Sequence, residues 1–274
     1  MDGLILSFST FFLFIVVLIG VIIGFFNFFF EPIYILIFKK PVFLYWYPFP
    51  KKLSVNQEYT LENEFPFYKK LSPKKKIYFK HRLKSFLIKY QFIGKENIFV
   101  TDEMKILIAG SYVMLTFGLR NYLVQVFDKI IIYPKVYLST VNQTYHKGEF
   151  NAKMKAVVFS WEDFKLGHDI VNDNLHLGLH EFTHALHFHC LRSKDPSAVI
   201  FFDEFNNVVQ YYKDKVLLAQ LIEKKYFRDY AYENQFEFLS VVLEHYFSTP
   251  EEFKDKHPAL FDSIVTMINH KKTN

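Results

Sequence analysis

The sequence predicts an α+β chain, mostly helical with a small sheet, preceded by an N-terminal transmembrane helix. Three observations carry this: an uncharged apolar run over residues 4–30, amphipathic stretches opened by helix-capping residues, and only two short β-type runs. With 274 residues and 51% hydrophobic content, there is ample apolar material for a core. The expected division is residues 1–31 as membrane anchor, 32–63 as juxtamembrane linker and 64–274 as the folded domain.

Residues 4–30 exceed the roughly 20 that cross about 30 Å of hydrocarbon. A cleaved signal peptide is the competing reading. Only Asp2 precedes the run, however, no small-residue cleavage site follows it, and it is too long for an h-region. Lys39, Lys40, Lys51 and Lys52 come next, so the positive-inside rule predicts a single-pass membrane protein whose folded domain faces the cytoplasm. Membrane lipid is therefore an expected partner through residues 4–30. The single Cys190 agrees with a reducing compartment and cannot form an internal disulfide. Gly20 and Gly24 have the spacing that lets two membrane helices pair, and the oligomeric state is otherwise open.

Residues 32–38 and 42–49 are too short to span, and Tyr45, Trp46 and Tyr47 read as interfacial aromatics. The net charge of +5 gathers in lysines such as Lys69, Lys70, Lys74, Lys75 and Lys76. Attraction to anionic lipid accounts for it, and with no motif for nucleic acid, no nucleic-acid partner is expected.

Ser72-Pro73 is a cap followed by proline at the first helical position. Ile77, Phe79, Leu83, Phe86, Leu87 and Tyr90 then form an apolar helical face to about Gln91, and Gly94 ends the segment. Thr101-Asp102-Glu103 opens a second helix, which runs to about Gly118. Ile130-Ile131-Ile132-Tyr133, closed by Pro134, reads as a short buried strand, and residues 156–161 as another.

The stretch Leu177-Gly178-Leu179-His180-Glu181-Phe182-Thr183-His184-Ala185-Leu186 holds His-Glu-x-x-His inside an apolar helical pattern. His180 and His184 lie one turn apart, so both imidazoles leave the same face and can grip one ion. Glu181 is offset by about 100°. It is poorly placed as a third ligand and well placed to take a proton from water held on that ion. Two neutral imidazoles suit zinc, and a catalytic zinc needs one more protein ligand and an open position. A structural zinc would fill four positions and favour cysteine, of which there is one. The strand at 156–161, shortly before this helix, is a candidate to offer its edge to an extended peptide.

Residues 198–227 read as a helix bent or broken within; its Asp203 and Glu204 are candidate ligands by chemistry alone, discounted because acids on helices are usually solvated. Residues 230–244 are a better source. Phe236, Leu239, Val242 and Leu243 form a core face, Asn234 a cap and Ser248-Thr249-Pro250 a stop. Glu237 and Glu244, two turns apart, share a face, and a carboxylate from it completes a set of two His and one Glu.

These residues carry a resemblance. The chain resembles the Mlc titration factor A family of zinc-dependent peptidases, whose catalytic fold is similar to the anthrax lethal factor protease domain. The resemblance spans residues 65–261 and rests on Phe65-Pro66-Phe67-Tyr68, Val100-Thr101-Asp102-Glu103-Met104, Ile132-Tyr133-Pro134, Phe159-Ser160-Trp161, the His180 to His184 motif, and Tyr230-Ala231 with Glu237-Phe238. It implies a gluzincin-like metallopeptidase domain with one catalytic zinc on His180, His184 and Glu237. Glu181 is then the general base, Tyr230 steadies the oxyanion, and Glu244 orients a ligand imidazole. A peptide or protein substrate follows, its peptide bonds hydrolysed by zinc-activated water. The chain departs from the family in carrying His187 and His189 where a polar or acidic residue is common; His176 and His187 read as surface histidines. The alternative function is a membrane-tethered regulatory binding protein that sequesters a partner such as a transcriptional repressor, with little or no catalysis.

Overall fold

In the computed structural model, which describes residues 2–139, 143–170 and 173–270, internal contacts divide the chain into Met1–Phe43 and Leu44–Asn274. In the first unit α1 (Asp2–Phe25) runs into α2 (Glu31–Phe38) through one π turn, Phe26–Phe30. Pro32 explains the turn. It has no N–H to donate and its ring crowds the carbonyl four residues back, so the hydrogen-bond ladder widens there. Ser9–Phe38, 30 residues near the N-terminus, is long and apolar enough to cross a membrane, and its most apolar window buries nothing inside the protein. By length and composition it is a candidate membrane span.

The second unit opens with a strap, residues 44–54. A capping box at Ser54 and Gln57 starts α3 (Val55–Glu64). Then come α4 (Pro66–Lys69) and α5 (Pro73–Lys89), the latter capped as predicted by Ser72, whose hydroxyl accepts the Lys75 N–H. After β1 (Gln91–Gly94), Thr101 caps α6 (Asp102–Thr116), again as the sequence predicts. From Ile106 to Thr116 every residue of α6 is buried, the mark of a helix enclosed by the core.

The strands are β2 (Lys129–Tyr133), β3 (Tyr137–Leu138), β4 (Tyr145–His146), β5 (Gly148–Asn151) and β6 (Ala156–Ser160). One sheet has the order β1-β2-β6-β5, in which β1, β2 and β6 run parallel and β5 closes antiparallel on β6; β3 and β4 pair separately. The helices that follow are α7 (Trp161–Asp169), α8 (Leu177–Cys190), α9 (Pro196–Lys213), α10 (Lys215–Lys224), α11 (Gln235–Ser248), α12 (Pro250–Lys256) and α13 (Pro258–Met267), with a 3-10 turn, Asp229–Tyr232, before α11.

Four expectations change. The strand expected at 156–161 is not an edge, because β6 is paired on both sides; the end of the sheet on that side is β5, which the sequence pattern did not reveal. The helix expected over 198–227 is two, broken at Asp214, whose carboxylate caps α10 by accepting the Val216 and Leu217 N–H groups. Residues 32–63, expected as a linker, hold all but one residue of each of α2 and α3, and Leu53 and Leu61 join the core of the second unit. Tyr45 and Tyr47, expected at a lipid interface, face Arg82 instead. Its guanidinium carbon lies 4.8 Å and 6.0 Å from their ring centres, and its Nε donates to the Tyr47 hydroxyl at 2.8 Å.

Phe182 seats α8 in the core. It lies about 200° around the helix from His180, so it faces inward when the imidazoles face out. Its ring meets those of Tyr112 at 5.0 Å, Phe159 at 5.4 Å and Phe127 at 6.0 Å, drawing α6 and β6 against α8.

Candidate metal centre

Helix α8 begins at His176, whose ring Nδ1 accepts the Leu179 N–H at 3.2 Å in place of the usual hydroxyl or carboxylate cap. One turn on, His180 and His184 project together, their ring centres 4.9 Å apart. Helix α11, capped by Asn234 as expected, lies against α8 and presents Glu237 and Glu244. Glu237 Oε2 stands 2.8 Å from His180 Nε2 and 3.4 Å from His184 Nε2. One donor atom from each of His180, His184 and Glu237 falls within 4.8 Å of the others, close enough for the three to hold one metal ion.

Glu244 is not part of that triangle. Its Oε1 is 2.6 Å from His180 Nδ1, the nitrogen turned away from Glu237, and it is 1% exposed. A carboxylate therefore faces each nitrogen of His180. Burial alone would depress its pKa, but the hydrogen bonds with Glu237 and Glu244 carry it up to about 10. The same contacts hold Glu237 and Glu244 below the usual carboxylate range against the opposing effect of burial.

Glu181 is buried beside the cluster, and burial raises its carboxyl pKa, with His180 and His184 pulling the other way. Gly148 of β5 passes directly over it: a Cβ there would lie 2.8 Å from Glu181 Cγ and Oε1. Tyr230, on the 3-10 turn, has its ring centre 5.7 Å from that of His180. Burial, with Glu237 and Glu181 nearby, raises its phenol pKa, so it stays a hydrogen-bond donor at neutral pH. Glu181, Tyr230 and His180 share a cleft of about 420 Å³ with Gly148, Lys147 and Arg228.

The six residues singled out by sequence thus come together. Asp203 and Glu204 do not join them; Glu204 is buried on α9 and accepts from Asn207. His187 is a correction: it is buried, its ring 4.3 Å from that of Phe205 and 4.9 Å from that of Phe236. His176 is a helix cap. Two participants were missed. Arg228 places a two-pronged ion pair on Glu244, and β5 brings Gly148 against Glu181. The only signal for Arg228 was its place two residues before Tyr230.

An uncharacterized protein of Synechocystis sp. (strain ATCC 27184 / PCC 6803 / Kazusa), slr2042, is 24% identical over 247 residues, covering 79% of this chain and 84% of its own. The family model for the glucose-regulated metallo-peptidase M90 matches residues 47–267, nearly the whole of the second unit. A family of metallopeptidases implies a metal ion and peptide or protein substrates. On a match of that extent the chain belongs to the glucose-regulated metallo-peptidase M90 family, the Mlc titration factor A family that its motifs resemble.

Proposed function

We propose that this chain is a membrane-anchored zinc metallopeptidase that hydrolyses peptide bonds, with His180, His184 and Glu237 as the zinc ligands, Glu181 as general base and Tyr230 as an oxyanion donor. The observation that carries it is the convergence of those three donor atoms within 4.8 Å, with His180 lining a cleft that also holds Glu181 and Tyr230. The donor set fits the ion. Two imidazoles and one carboxylate are a zinc set that leaves a position open. The carboxylates of Glu237 and Glu244 on either side of His180 make the cluster a favourable place for positive charge.

When bound, zinc supplies Lewis acidity, which lowers the pKa of a water and polarises a carbonyl. The other work falls to side chains. Glu244 accepts the His180 Nδ1–H, which fixes the ring and leaves Nε2 free to ligate. Glu181, its carboxyl pKa raised by burial, accepts the proton of the attacking water and passes it to the leaving amine. The Tyr230 hydroxyl donates to the carbonyl oxygen as it gains charge, a contact strongest in the transition state. With no strand paired on its outer side among the described residues, β5 is the edge along which an extended peptide would lie. For the first unit, Ser9–Phe38 is read as a single membrane-spanning anchor. By the positive-inside rule, the lysines after it support a cytoplasmic catalytic unit.

The test is hydrolysis of a mixed peptide library by the zinc-loaded full chain beside its Glu181→Gln and His180→Ala variants. The wild type alone should cleave, Glu181→Gln should keep zinc while losing turnover, and His180→Ala should lose zinc. Equal cleavage by Glu181→Gln removes the general-base assignment. Zinc at one per chain with no cleavage by the wild type favours the partner-sequestering alternative.

A further inference from the structure

The geometry points to Arg228 as a positioning residue that, through Glu244, holds the His180 imidazole and the Tyr230 turn in one frame. Glu244 is the hub. Its Oε1 accepts from His180 Nδ1 at 2.6 Å and from Arg228 Nη2 at 2.9 Å, and its Oε2 from Arg228 Nη1 at 2.8 Å and the His176 N–H at 3.0 Å. Four donors on a carboxylate 1% exposed leave it no freedom to turn. Without the two from Arg228, the buried Glu244 would hold its charge against only one ring N–H and one backbone N–H.

Arg228 also fixes what lies on either side of it. Its Nη1 donates to the Asn174 carbonyl at 2.9 Å, tying down the approach to α8. It is the residue from which the 3-10 turn starts: the Ala231 N–H donates to the Arg228 carbonyl at 2.9 Å, with Tyr230 between them. The guanidinium carbon lies 5.8 Å from the Tyr230 ring centre. The side chain therefore bears on the ligand face of His180 through Glu244 and on the phenol through its approach to the Tyr230 ring, while the backbone carbonyl of the same residue starts the turn. With both prongs on Glu244, Arg228 positions these groups rather than binding substrate. A lysine cannot reproduce the planar fork, so even the charge-preserving change should be felt.

The inference rests on the peptidase reading of the site, but its first readout needs no turnover. In the full chain, Arg228→Lys and Arg228→Gln are compared with the wild type in zinc affinity, by competition with a chromophoric chelator, and in the visible spectrum of bound Co²⁺. Both variants should weaken zinc by about 10- to 100-fold and alter the Co²⁺ spectrum. In turnover, kcat should fall with KM little changed, and the loss should be smaller than additive when combined with Tyr230→Phe. Folded variants with wild-type zinc affinity and Co²⁺ spectrum would overturn the inference, and additive kcat losses would remove its Tyr230 half. If Arg228→Gln does not fold, Arg228→Lys, which keeps a charge beside Glu244, decides. If the wild type binds zinc without cleaving peptides, the peptidase reading fails while the zinc and Co²⁺ readouts still decide the role of Arg228.

Discussion

At the scale of single residues, the candidate centre depends on a close approach that only glycine permits. A Cβ at Gly148 would lie 2.8 Å from Glu181 Cγ, from Glu181 Oε1 and from Leu177 Cδ1. The cheapest relief is rotation of the Glu181 carboxyl, the flexible end of its side chain. Gly148→Ala should therefore leave the fold and zinc binding nearly unchanged and lower kcat by about 10- to 100-fold, since a displacement of about 1 Å is enough for losses of that order. Steady-state kinetics at saturating zinc, with a thermal melt, would check it, and an unchanged kcat would mean that β5 does not set the general base. His180, Glu181 and His184 were legible because helical spacing alone puts them together. Glu237 and Glu244 were legible as a pair for the same reason, and the resemblance assigned their separate roles. Arg228 was not, because its partner Glu244 lies sixteen residues on, across a turn and into the next helix. His187 looked like a surface residue because its ring neighbours come from α9 and α11, distant in sequence.

Among the elements, α6 is held at its C-terminus by an arginine from α5. Arg82 is fully buried, and its Nη1 donates to the Thr116 and Phe117 carbonyls at 2.9 Å and 3.0 Å, where the helix dipole ends negative. Its Nη2 reaches the Leu44 carbonyl at 3.4 Å, and the Tyr122 ring centre lies 4.3 Å from its guanidinium carbon. Arg82→Met would fill much of the volume but take one donor from each of the Thr116 and Phe117 carbonyls, which keep the Leu119 N–H and the Tyr45 hydroxyl, and remove the Arg82 donors from the Leu44 carbonyl and the Tyr47 hydroxyl, at about 1–3 kcal/mol for each buried group left unpaired. Relief from burying a charge offsets part of that. A net loss of about 3 kcal/mol in urea unfolding is expected, together with faster proteolysis in residues 44–54. A loss under about 1 kcal/mol would show that the strap and α6 do not depend on the clamp. The same strap shows where element patterns mislead. Tyr45-Trp46-Tyr47 suits a lipid interface and a buried cation equally, and only tertiary structure separates the two uses. Helices α5 and α6 were legible because their caps are local signals. Strand β5 was not, being four residues with Gly148, Glu149 and Asn151 in place of β-branched residues. Helix α3 was hidden in another way, since Leu61 is its one buried residue and leaves no amphipathic stripe to read.

For the whole molecule, the question is where the folding unit begins. The sequence pattern sets its start near residue 64, whereas contacts place it at Leu44. Residues 44–63 supply Leu53 and Leu61 to the core, the Leu44 carbonyl and Tyr47 hydroxyl to Arg82, and the Tyr45 hydroxyl to the Phe117 carbonyl at 2.8 Å. Burying one large apolar side chain contributes about 1.5–3 kcal/mol, against a total stability of only about 5–15 kcal/mol for a typical domain. Losing two such side chains and the partners of a buried guanidinium removes most of that margin. The chain from residue 44 to 274 should thus unfold in urea in one cooperative transition, and the chain from 64 to 274 should show none or one at far lower urea, followed by far-UV circular dichroism. Equal midpoints would return the boundary to residue 64. The same pair of starting points tests the anchor, because removing residues 1–43 takes away the candidate span at Ser9–Phe38 and leaves the candidate metal centre intact. The full chain should stay with membranes through an alkaline carbonate wash, and the chain starting at residue 44 should be released while still binding zinc. Release of the full chain by carbonate would sink the anchor reading and leave the metal centre untouched, since no residue of that centre lies in the first unit.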